Sequence, residues 1–234
     1  MVLLNEYARY LISKENLVFP LASKVETAYR CIEKNFKLDP FDQVHFVAAL
    51  YHAVQYFQPT HVIQTGTCTG VSLMAMLIAA SDSGKSIHIT SIDPEPDYYA
   101  FSNQPVRTAR LVVRQCGFDR YVNFVKGYSG TAPPCSPLPG NLLLSFPPSF
   151  DMLVVDGDHS FKGAYTDLTV GYDTLRGDKP IIFVHDYNSI PEVRAAVDLW
   201  LNRSGLVFQA FKTEKPCGLA IIQVFNKNNK NRRN

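Results

Sequence analysis

The chain has 234 residues, of which 46% are apolar and 19% charged, with a net charge of +2. That balance excludes a disordered polyelectrolyte, allows one domain with a sizeable core, and points neither toward nor away from nucleic acid. Five cysteines (Cys31, Cys68, Cys116, Cys135 and Cys217) are scattered without a CxxC pair, which argues against a zinc knuckle or a disulfide framework.

The opening stretch MVLLNEYARYLISKENL carries no early basic cluster and no long apolar run. Neither a signal peptide nor a membrane span is expected, and a reducing cytoplasm is the default. The first 57 residues read as a helical cap, notably FDQVHFVAALYHAVQYF (41–57). Short runs rich in β-branched residues then alternate with helical patterns. THVIQT (60–65), SIHITSID (86–93), YVNFVKG (121–127), FDMLVVD (150–156) and PIIFVHD (180–186) read as strands. VSLMAMLIAAS, PVRTARLVVRQCG, SFKGAYTDLTVGYDTL and PEVRAAVDLWLN show apolar positions at helical spacing. Gly117 and Gly177 suit helix C-caps, and Pro191 suits a first helical turn.

This alternation predicts an α/β, doubly wound, Rossmann-like sheet, mostly parallel. LVFQAFK (206–212) and GLAIIQV (218–224) have no helix between them and predict a C-terminal antiparallel hairpin, giving seven strands. Residues 129–149 hold six prolines, so a loop is expected there, with a short turn near 141–145. The domain division expected is a cap at 1–57, a catalytic domain at 58–225 and a basic polar tail at 226–234.

In an open parallel sheet, ligands bind beyond the carboxyl ends of the strands, so each strand is read at its last residues. The first ends in QTGTCTG, where Gly66 and Gly70 allow a tight turn and a close approach to a ligand. It is not a GxGxxG fingerprint. Asp93 ends the second strand and can accept hydrogen bonds from both hydroxyls of a ribose; as a lone residue it serves equally as a turn former before Pro94. Tyr128 and Ser129 follow the third strand and could flank a base. The fourth ends in Asp156, Asp158 and His159, and the fifth in His185 and Asp186. Carboxylates on adjacent strand ends can share a hard cation. Asp158 or Ser160 reads as a cap for the helix that follows. Cys68, at a helix start, reads as a small residue that fits rather than a reactive thiol.

The motifs VVDGDHSF, followed by Asp167, and IIFVHDY resemble class I S-adenosylmethionine-dependent methyltransferases of the methyltransferase domain family 24 type, over roughly residues 58–225. QTGTCTGVS resembles that family's first motif, with Gln64 where an acid is usual and Cys68 in place of a glycine. The resemblance implies cofactor contacts at Gln64, Gly66, Thr67, Gly70, Asp93, Tyr128, Ser129 and Asp156. It implies metal ligands at Asp156, His185 and Asp186, where the imidazole favours Mn²⁺ over Mg²⁺. It also implies His159 as base, beside Asp156, at the position of a catalytic lysine in metal-dependent relatives.

The activity so implied is O-methylation of a small-molecule hydroxyl, with no membrane or nucleic-acid partner expected and a homo-oligomer left open. Two alternatives remain at this stage. One is a cofactor-binding regulatory protein without turnover, motivated by Gln64. The other is a nicotinamide-dependent oxidoreductase, against which the missing fingerprint and the terminal hairpin count. The basic tail is the sole hint of an RNA substrate.

Overall fold

The structure, a computed structural model, describes residues 41–95, 105–213 and 218–225. Tyr98, Tyr99, most of the 1–57 cap and the 226–234 tail lie outside them. Five helices are described: α1 (Phe41–Phe57), α2 (Val71–Asp82), α3 (Pro105–Gln115), α4 (Phe161–Asp173) and α5 (Pro191–Arg203). Seven strands are described: β1 (His61–Thr65), β2 (His88–Asp93), β3 (Val122–Lys126), β4 (Met152–Val155), β5 (Ile181–His185), β6 (Val207–Thr213) and β7 (Leu219–Phe225). They form one sheet in the order β3-β2-β1-β4-β5-β7-β6. Pairing is parallel from β3 to β5 and antiparallel through β7 and β6. The predicted sheet and hairpin are therefore present.

Strand parity divides the core. Val62, Met152, Val154, Ile181 and Phe183 face one side with α1 and α2. Ile63, Leu153, Val155, Ile182 and Val184 face the other with α4 and α5. The central strands are buried on both faces, which is why they read as near-continuous apolar runs. The proline-rich segment is a loop with one 3₁₀ turn at Leu142–Ser145, as its sequence predicts.

Helix ends follow local chemistry. Pro191 starts α5, and Gly117 adopts φ 75° after α3. Gly177 departs from expectation. α4 is already capped at Thr174, whose backbone N–H and hydroxyl both bond back to Gly171 O, so Gly177 turns the chain toward β5 instead.

At the edge opposite the site, Asp151 anchors the start of the two central strands. Its carboxylate accepts from Thr60 N (2.8 Å), Thr60 Oγ1 (2.6 Å), His61 N (3.0 Å) and Arg176 Nε (2.9 Å). Burial pushes this carboxyl up, but Arg176 and Thr60 outweigh that and bring it down to about 2. A depressed folded-state pKa contributes stability that is present above the unfolded value and lost as pH falls through the folded one. Discounted for partial exposure, the contribution is about 1–2 kcal/mol. Asp151→Asn is expected to lower urea-unfolding stability by that amount at pH 6 and to flatten the loss between pH 4 and 2. Parallel acid titrations of variant and wild type would refute this.

Candidate active site

Strand order reverses between β1 and β4, and the crevice beyond their carboxyl ends is where an open sheet takes its ligand. In register, Thr65 lies beside Val155 and Val155 beside Val184, so Gly66, Asp156 and His185 follow as neighbours at the sheet's edge. Gly66 is at φ 80°, and a Cβ there would fall inside the van der Waals shell of the Asp156 carbonyl oxygen. Gly70 also has positive φ, but its missing Cβ makes room for Ala109 of α3 rather than for a ligand.

Parity also decides which side chains line the crevice. Gln64 follows Val62 onto the α1/α2 face and is fully buried. Its Nε2 donates to Gly66 O and to Ser72 Oγ (2.9 Å), while Oε1 has no partner among the described residues. Asp93 is buried too. Its Oδ2 accepts from Thr67 N (2.8 Å) and Cys68 N (3.2 Å), and its Oδ1 from Glu95 N (2.6 Å). The acid thus ties the glycine turn to the end of β2. The Thr67 side chain turns inward onto Ser91 Oγ at 2.7 Å. Cys68 sits at φ 43°, and burial pushes its thiol up to about 11, which makes it inert near neutral pH. Tyr128 and Ser129 lie just past β3, with Tyr128 N donating to Pro139 O at 2.9 Å.

The acids and histidines of β4 and β5 come together. His185 Nδ1 lies 2.9 Å from Asp156 Oδ1 and 3.1 Å from Asp186 Oδ2. His159 Nε2 reaches toward the same two carboxylates at 3.6 and 3.4 Å. Asp186 takes the left-handed φ of 58° and accepts from Ser189 Oγ at 2.6 Å. Ser160, not Asp158, caps α4, accepting from Gly163 N; Asp158 accepts from Ser160 N and shapes the turn. Burial pulls the His185 imidazole down, but Asp156 and Asp186 push it up to about 10. Burial pushes Asp156 up, but His185 and His159 hold it down to about 2. The hydrogen bond and charge of Asp156, helped by Asp186, raise His159 against its burial.

Asp156, His185 and Asp186 offer ligand atoms that all lie within 4.8 Å of one another. The 2.9 and 3.1 Å separations across Nδ1 match the cis edge of an octahedron with ~2.1 Å bonds, about 3 Å. The donor set therefore fits a divalent cation; the alternative is an imidazolium whose Nδ1 lies between two carboxylates, with Nε2 buried and without a partner among the described residues.

With this geometry in hand, the model of a methyltransferase domain family, Methyltransf_24, matches residues 63–187, more than half of the chain. The chain belongs to that family. No curated protein matches the sequence. Similar solved structures include cofactor-bound Rv0187 from MTB, 15% identical with a TM-score of 0.67, where 91% of this chain covers 94% of that one. The SAH-bound methyltransferase PaMTH1 of Podospora anserina is 12% identical, with a TM-score of 0.65 and 93% coverage of each chain. An O-methyltransferase of Bacillus cereus in complex with SAH is 14% identical, with a TM-score of 0.63 and coverage of 94% and 99%. Identities this low establish a shared fold.

Two further residues belong to this methyltransferase's site: Phe46 carries no signal in the sequence, and Asp167 is marked by the VVDGDHSF…D motif without a role. Phe46, in an apolar helix, stacks on His185 with ring centroids 4.3 Å apart. Asp167 of α4 is buried beneath the turn at Gly157. Gly66→Ala is expected to destabilise the fold by roughly 1–3 kcal/mol through backbone strain, and more through the displaced Asp156 carbonyl. A urea midpoint equal to wild type would show that the turn tolerates a side chain.

Proposed function

We propose that this methyltransferase transfers the methyl group of S-adenosylmethionine to a hydroxyl of a small-molecule acceptor. The observation that carries the reading is the convergence of Asp156, His159, His185 and Asp186 at the β1/β4 switch point, beside a glycine turn. Structures of the same fold with bound SAH, the demethylated product, support it.

In this reading Asp93 meets the ribose while holding the turn at Thr67 and Cys68. Gln64 Oε1, buried and without a hydrogen bond, is the acceptor offered to the cofactor's ammonium group. The close approach at Gly66 keeps the backbone of β1 against β4. Tyr128 and Ser129 border the adenine side. Methyl transfer is a displacement at the sulfonium carbon: the acceptor oxygen forms the new C–O bond, the C–S bond breaks, and the hydroxyl proton leaves to a base. Alignment supplies much of the rate. His159 is placed to take that proton, and Asp156 and Asp186 orient the acceptor hydroxyl.

A divalent cation held by Asp156, His185 and Asp186 would make that hydroxyl more acidic. The residues by themselves set a condition on the base. With two bare carboxylates nearby, the His159 pKa is raised, so more of the ring is protonated at neutral pH and less can accept a proton. Balancing those carboxylates relaxes the pull.

Two measurements test this. Calorimetric titration with S-adenosylmethionine and SAH should give micromolar binding that Asp93→Ala weakens at least tenfold; absence of binding to wild type removes the reading. Mn²⁺ titration at pH 7 in buffers of different ionisation enthalpy should show net proton release, because the metal displaces the proton shared by His185. Binding heats independent of the buffer would exclude His185 as a ligand, and no binding heat at all would leave the metal-free form of the mechanism.

A further inference from the structure

The α4 face of the site holds a group that the mechanism above does not use. Asp167 is 1% exposed, and neither of its carboxyl oxygens makes a hydrogen bond of normal geometry. Thr65 Oγ1, from the last residue of β1, is buried in the same state. The hydroxyls of Thr65 and Ser129 face the Asp167 carboxyl, and the charge that acts on it is that of Asp158, of the same sign. Gly157 presses on the pair: a Cβ there would lie 3.1 Å from Asp167 Oδ2 and 3.2 Å from Thr65 Oγ1.

Ser129 is itself held from two sides. Leu143 N donates to Ser129 O (3.2 Å), Leu142 N to Tyr128 O (3.1 Å) and Asn141 N to Gly130 O (2.5 Å), so the proline-rich loop docks on this segment. From the α4 side, a Cβ at Gly130 would sit 3.1 Å from Thr166 Cγ2. The segments after β1, β3 and β4 thus meet at one buried acid.

We propose that Asp167 is a positioning residue for the cofactor side of the site, its carboxyl holding Thr65, Ser129 and the Gly157 turn against one another from the α4 face. The proposal rests on the methyltransferase reading given above. An ionised carboxylate buried without a cation is costly, so the group is at its best as a neutral acid. Its O–H then donates to one hydroxyl and its carbonyl oxygen accepts from the other. Burial pushes this carboxyl up to about 6, against the two hydroxyls, so the neutral acid prevails below that pH and above it the carboxylate accepts from both hydroxyls. An asparagine offers the same donor and acceptor in the same shape, and an alanine offers neither.

The test compares wild type, Asp167→Asn, Asp167→Ala and Thr65→Val for SAH affinity, Mn²⁺ affinity and amide hydrogen exchange. Asp167→Ala should weaken SAH binding tenfold or more while Mn²⁺ affinity changes less than twofold. Asp167→Asn should restore SAH binding to within threefold of wild type, and Thr65→Val should weaken it three- to tenfold. Unchanged SAH binding in Asp167→Ala overturns the proposal, as does equal weakening of SAH and Mn²⁺, which would mean general loosening. If Asp167→Ala does not fold, Thr65→Val and Asp167→Asn decide the matter by the same thresholds. If wild type binds no SAH, the functional reading is what fails. Exchange then judges Asp167: faster exchange at 127–131 and 156–160, with none at 185–190, supports it, and uniform exchange overturns it.

Discussion

The close approach of the β1 turn to β4 at Gly66 and Asp156 is the contact on which the rest of the site depends. Parallel pairing brings Thr65 level with Val155, and the next residue on each strand must then share one small space. Glycine at 66 resolves the conflict by presenting no side chain to the Asp156 carbonyl and by tolerating φ 80°. The turn it permits sends the amides of Thr67 and Cys68 to Asp93 on β2. It also leaves Gln64 Nε2 bonded to Gly66 O and Ser72 Oγ at the start of α2. A crevice with three strand ends at fixed heights follows from one missing methyl group.

Charge balance is the second constraint. Two carboxylates, Asp156 and Asp186, stand within hydrogen-bond reach of one imidazole in a partly dry crevice. Such a cluster bears its desolvation cost only if every charge is answered. A proton on His185 answers it in one way and a divalent cation in another, and the two exclude each other at Nδ1. The apolar face of Phe46 stacked on the ring leaves the carboxylates as the neighbours with which His185 can exchange a proton. The same balance governs His159, whose pKa the hydrogen bond and charge of Asp156 raise against burial.

Much of this was legible in the residues. Alternation of β-branched runs with helical patterns gave the sheet, and the absence of a helix between 212 and 218 gave the hairpin. Asp156, His185 and Asp186 stand at the last residues of their strands or just beyond, and a parallel sheet brings them together because it aligns its carboxyl ends. What was hidden depends on packing. Phe46 is one more apolar residue in an apolar helix, and only the crossing of α1 over β5 brings it to His185. Asp167 belongs to a recognisable motif, but only its burial beneath Gly157 shows what it touches. The sequence does not show that the missing Cβ of Gly70 accommodates Ala109 on a neighbouring helix. Gly177 looked like a cap, but Thr174 bonds back to Gly171 first.

Strand parity ties these findings together. On β1, Gln64 and Thr65 are consecutive and so point to opposite faces. Gln64 joins the α1/α2 side, where Asp156 and His185 also project, two residues past Val154 and Phe183 respectively. Thr65 joins the α4/α5 side, where Asp167 waits. Thr65 and Asp167 therefore meet on the face opposite Asp156 and His185, while Gln64, on the same face as those two, bonds to Gly66 O and Ser72 Oγ. A slip of one residue in β1 would exchange the two faces. Asp151, which fixes the entry of β1 and β4 through Thr60 and His61, is the residue at the far edge that guards against it.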